Sequence, residues 1–169
     1  MVMATVGAAL AMAQPTMPGR AMPAGEPEVM EGGYVKLGFE RLAAFPFTVP
    51  PWETKPGQAP ETGEAQIPAA IKAFSGSKAA VTGFMLPVKM TAGLVTEFLL
   101  VSDPSLCCYG MVPNMNEWIV VRMNGVGVKP LMDVPITLYG ELRVGALFEN
   151  GYLTGIYELK GERLTVLGG

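Results

Sequence analysis

Two adjacent thiols, Cys107 and Cys108, stand in a sequence of 169 residues that contains no histidine. Chemistry near neutral pH usually recruits imidazole as base, proton shuttle or metal ligand. Its absence excludes a serine or cysteine nucleophile activated by His, and any zinc site built on imidazole. Reactive chemistry must then come from thiols, carboxylates, lysine or tyrosine. One connection concentrates the unusual residue types: Cys107-Cys108-Tyr109-Gly110-Met111-Val112-Pro113-Asn114-Met115-Asn116-Glu117-Trp118.

The cysteine pair admits three readings. Adjacent residues have Cα atoms about 3.8 Å apart, below the usual disulfide range of roughly 4.4–6.8 Å, so a vicinal bridge would be strained, labile and redox-active. Alternatively, the thiolates of Cys107 and Cys108, with the thioethers of Met111 and Met115 nearby, would form a soft-metal site for copper or zinc. The third reading is two thiols packed as small hydrophobes, with no cofactor at all. The remaining polar members of the loop, Pro113, Asn114, Asn116 and Glu117, read as turn formers or as a polar rim for a ligand or partner. Trp118 reads as packing at the start of a strand.

Other motifs carry less. Glu97, Asp103, Glu117 and Asp133 flank strand ends, with no spacing that pairs them for acid–base work. Gly125-Val126-Gly127 lacks the third glycine of a dinucleotide loop, and Gly76-Ser77-Lys78 lacks the upstream part of a phosphate-binding loop; both read as turns. The 12 methionines include Met17, Met22 and Met30 near the N-terminus, without the regular spacing of a copper-binding tract. No catalytic motif is present, so the chain is not expected to be an enzyme. Net charge is −3, and the 12 Lys and Arg are scattered rather than clustered. Phosphate contacts supply most nucleic-acid affinity, so nucleic acid is not an expected partner.

Elements that would hold the loop follow from periodicity. Residues 34–49 read as a first strand stopped by prolines, and residues 67–74 as a short helix with Pro68 at an early position. Residues 80–86, 95–101, 118–123 and 136–144 read as strands. In the last, Ile136, Leu138, Leu142 and Val144 alternate with polar neighbours, and Gly140 marks a bend or bulge. Asn150-Gly151 supplies a hairpin turn to a strand over 152–159, and Lys160-Gly161-Glu162 a second turn into a last strand ending near Leu167. Five to six short antiparallel strands with one short helix predict a mainly β domain, a small OB-like barrel spanning 34–169.

Several of these stretches together resemble a bacterial family known as domain of unknown function 3299. The resemblance runs from about Tyr34 to the C-terminus. It rests on Ile67-Pro68 before the helix, Val81-Thr82-Gly83-Phe84-Met85-Leu86-Pro87, Glu97-Phe98-Leu99-Leu100-Val101, the Cys…Pro…Asn loop, and Pro135-Ile136-Thr137-Leu138-Tyr139-Gly140. It implies an exported or envelope protein with an OB-like domain, in some members linked to transport systems. Many members carry Cys-x-His in the loop. This chain has Tyr109 at the His position, so only Cys107, Pro113 and Asn116 carry over.

The N-terminus fits export. A short apolar run ends in Ala11-Met12-Ala13, small residues at the positions that signal peptidase reads, so residues 1–13 are expected to be a signal peptide, shortened at its start. Residues 14–33, rich in Pro, Gly and Met, read as a disordered linker. Elsewhere no apolar run reaches the ~18 residues of a membrane span. The expectation is a non-enzymatic binding or accessory module of the periplasm or cell envelope, partnered by an envelope protein or transporter component. Its contact surface would be Cys107, Cys108, Tyr109, Gly110, Pro113, Asn114, Asn116, Glu117 and Trp118. The alternative is a soft-metal or thiol-redox protein.

Overall fold

Five strands close into a ring because each has a partner on both edges. A computed structural model of the chain describes residues 25–51, 61–107 and 113–167. Its elements run β1 (Val35–Leu37), α1 (Phe39–Leu42), α2 (Ala69–Lys72), β2 (Lys78–Thr91), β3 (Leu94–Val101), β4 (Trp118–Met123), β5 (Ile136–Glu149) and β6 (Tyr152–Val166). Hydrogen-bonded neighbours run β2-β3-β4-β6-β5, and β5 returns to β2. This is the five-stranded closure of an OB-type barrel. β1 lies outside the ring and pairs in parallel with Ala79–Val81 of β2.

The mainly β expectation holds, with four corrections. The strand expected over 34–49 ends at Leu37. Gly38 breaks it, and Phe39 and Leu42, three apart, both turn into the core as the short helix α1. Two short helices therefore replace one. Not all pairings are antiparallel, since β1–β2 and β4–β6 are parallel. And residues 160–162 make no turn. Gly161 pairs with Gly140 across the ladder, so β6 runs unbroken for 15 residues. An ideal Cβ on Gly140 would stand 2.1 Å from the Lys160 carbonyl oxygen, so glycine there lets the two backbones meet.

The core fills the ring. Phe98, Leu100, Ile119, Val121, Leu138, Leu142, Tyr157 and Leu159 are buried, and Leu37, Leu42, Phe45, Phe47, Ile67 and Ile71 from the segments before β2 join them. The Tyr157 phenol donates to the Leu42 carbonyl at 2.8 Å, and burial pushes its pKa well above the ordinary phenol value. β5 continues past its pairing with β2. There Ser75 Oγ accepts from the Val144 amide at 3.0 Å and Glu64 Oε1 from the Ala146 amide at 2.7 Å, so two side chains stand in for a missing strand.

Of the expected 14–33 linker, residues 25–33 are described and are seated on the domain. Val29 bridges Val35, the Lys36 amide donates to the Glu28 carbonyl, and Arg41 Nη2 reaches the Gly25 carbonyl at 2.8 Å. Met30 packs against Tyr34 and Tyr139. The expected signal segment 1–13 lies outside the described residues. Among the described residues, no helix is long and apolar enough to cross a membrane.

Candidate functional site

The connection between β3 and β4 leaves the ring at Val101 and returns at Trp118. Its first turn is held by Asp103. Oδ1 accepts from the Ser105 amide at 2.8 Å and the Ser105 hydroxyl at 2.6 Å, capping a 3-10 turn, Pro104–Cys107. The Ser105 hydroxyl, then its amide, holds the Asp103 carboxyl below its ordinary range. Cys107 closes this turn. Cys108, Tyr109, Gly110 and Met111 lie outside the described residues.

The far end of the loop is held three ways. Glu117 Oε2 accepts from the Asn114 amide at 2.6 Å, while the Glu117 amide donates to the Asn114 carbonyl, giving a reciprocal tight turn. At its centre Met115 is buried in the core and Asn116 is buried with its Nδ2 donating to the Phe45 carbonyl at 2.6 Å. Trp118, half-buried, donates its indole N–H to the Thr154 carbonyl at 3.2 Å. Pro113 is half-buried and Asn114 exposed.

The structure thus divides the sequence-derived site. Asn116 and Trp118 are committed to anchoring, Glu117 shapes its own turn, and Met115 packs in the core. Among the described residues, no group of three or more Cys, Asp and Glu is placed to hold a metal ion. The four strand-end carboxylates are not brought together. Glu97 pairs with Arg122, Asp103 and Glu117 cap turns, and Asp133 sits exposed in a left-handed turn with φ 58°.

Two features escaped the sequence reading. The first is a cleft of about 510 Å³ between residues 26–28, residues 36–41, Thr82 and Ser102. It forms where β1 ends opposite Val81 and β3 ends opposite Phe84, leaving β2 without a strand partner on that edge at Thr82 and Gly83. Ser102 places this cleft directly before the 103–117 loop. The second is a charge ladder across four strands. Arg122 bonds Glu158, reaches Glu97 at 3.1 Å and Glu149 at 2.5 Å, and Arg143 lies 3.5 Å from the other Glu158 oxygen. Only the strand order brings these residues into one row.

Fold and site together define an OB-type β-ring with an anchored, cysteine-bearing loop between its second and third ring strands. The chain belongs to the family described as "Protein of unknown function (DUF3299)", whose model matches residues 53–166. Its fold is similar to the crystal structure of a DUF3299 family protein from Pseudomonas aeruginosa PAO1, at 23% identity and a TM-score of 0.58. That similarity covers 82% of this chain and 99% of the other. No curated protein matches the chain.

Proposed function

We propose that this chain is an exported, non-enzymatic binding or accessory module of the bacterial cell envelope, and that the 107–118 loop is its contact surface. The observation that supports this most is how the loop is held. Asp103 holds the turn at one end, and Asn116 and Trp118 fix the other. Loops on a rigid scaffold are where proteins commonly carry recognition. The apolar run ending in Ala11-Met12-Ala13 supports export. A component of a transport system is the partner that the family resemblance suggests.

The test replaces residues 107–112 with a Gly/Ser linker of equal length and leaves 113–118 intact. The variant should keep the thermal unfolding midpoint of the parent yet lose a partner co-purified from the envelope fraction after cross-linking. Undiminished capture by the folded variant would move the contact surface elsewhere.

A further inference from the structure

The β2–β3 hairpin and the connection from β4 to β5 meet at one residue. Val95 pairs with Met90 on one side and exchanges both backbone hydrogen bonds with Val128 on the other, at 2.8 and 3.0 Å. The two segments therefore form one end of the ring. This end leaves large apolar side chains in water. Val88 is 60% exposed, Met90 51%, Val126 80% and Met132 54%. Water-facing apolar groups on neighbouring segments mark an interaction surface more often than scattered ones do.

The charges point to what covers it. Residues 86–96 and 124–133 contain two exposed cations, Lys89 and Lys129, and one carboxylate, the exposed Asp133, in a chain whose net charge is −3. Glu97 stands opposite Lys89 in the ladder but is bonded to Arg122. Two lysines beside exposed valine and methionine are the composition that anionic bilayers attract. The ammonium groups meet lipid phosphates while the apolar tips enter the headgroup boundary.

We propose that this end of the ring docks peripherally on an anionic lipid surface, with Val88, Met90 and Val126 inserted and Lys89 and Lys129 at the headgroups. The inference does not depend on the loop reading above, because the two surfaces share no residue. It predicts that the full chain co-sediments with vesicles of phosphatidylethanolamine and phosphatidylglycerol, and much less with phosphatidylcholine vesicles. Binding should weaken as salt is raised. Val88→Ser with Met90→Ser should lower partitioning by at least about tenfold. Lys89→Gln or Lys129→Gln should each lower it about fivefold. All four positions are exposed, and circular dichroism confirms that each variant is folded. These variants leave the N-terminal apolar run untouched, so binding that survives them belongs to that run and overturns the proposal. Failure to bind anionic vesicles also overturns it. So does a lipid-free dimer that the Val88→Ser/Met90→Ser pair dissolves, since a second copy would then be the occupant.

Discussion

Asn116 shows how a polar residue can look functional and be structural. In sequence it sits in a turn-rich, chemically varied loop beside two thiols, and such positions read as a rim for a partner. In the fold the residue is 2% exposed, and its side chain's partner is a carbonyl 71 residues away. Local pattern contains no trace of that partner, because the contact exists only once the segment through Phe45 folds under the loop. Replacing Asn116 with Ala would leave the Phe45 carbonyl buried without a donor, at a cost of about 1–3 kcal/mol. Chemical denaturation should show this as a lower midpoint with an unchanged slope. A loss under about 0.5 kcal/mol, with the side chain still buried, would mean the bond is not an anchor. Asn114, two residues earlier in the same turn and exposed, should tolerate the same change. The pair separates anchoring from recognition within a single loop.

Strands were legible wherever one face alternated or a run was wholly apolar. β4 begins where its apolar run does, and β5 begins at Ile136, where strict alternation starts. The failures share a cause. The 34–49 stretch carries Val35, Leu37, Phe39 and Leu42, a spacing that fits a strand at its start and a helical turn at its end, and only burial against the ring decides where one gives way. At 160–162, Gly161 reads as a turn, yet it is held in a ladder by Gly140, a residue 21 positions earlier. The bend or bulge expected at Gly140 is present, as a register shift between Tyr139 and Gly140. The opposed glycines carry different constraints, which mutation should reveal. Gly140→Ala would drive a methyl against backbone, the Lys160 carbonyl at 2.1 Å, so the strands must part. Gly161→Ala would meet the Met123 sulfur at 2.5 Å, the flexible part of a side chain that can swing away. Gly140→Ala should cost more than about 2 kcal/mol or prevent folding, and Gly161→Ala should cost about 1 kcal/mol or less. Equal costs, measured by thermal unfolding, would contradict this account of how β5 and β6 approach.

The whole molecule extends the domain N-terminally beyond what composition suggested. Residues 25–33 belong by composition to a linker, yet they cover an edge that would otherwise be open. β1 is parallel to β2, and its outer edge is met by Val29 and by the Glu28 carbonyl. The strap leads into Tyr34, whose hydroxyl donates to Glu162 at 2.5 Å and whose ring stands edge-on to Tyr139 at 5.2 Å. Arg163 lies 3.5 Å from the centre of the Tyr139 ring and Lys78 5.6 Å from that of Tyr34. This cluster, outside the ring, fastens the strap to β5 and β6, and a cation over an aromatic face adds roughly 0.5–1 kcal/mol where exposed. An uncovered strand edge offers unpaired amides and carbonyls to any neighbour. A chain shortened to begin at Tyr34 should therefore still fold, because every strand of the ring is intact. It should also self-associate with rising concentration, while a chain begun at Gly25 should not. Sedimentation velocity across a concentration series distinguishes the two. If both sediment as the same monomer, the strap is not an edge cover, and the cleft it walls beside Ser102 becomes the stronger reason for its docking.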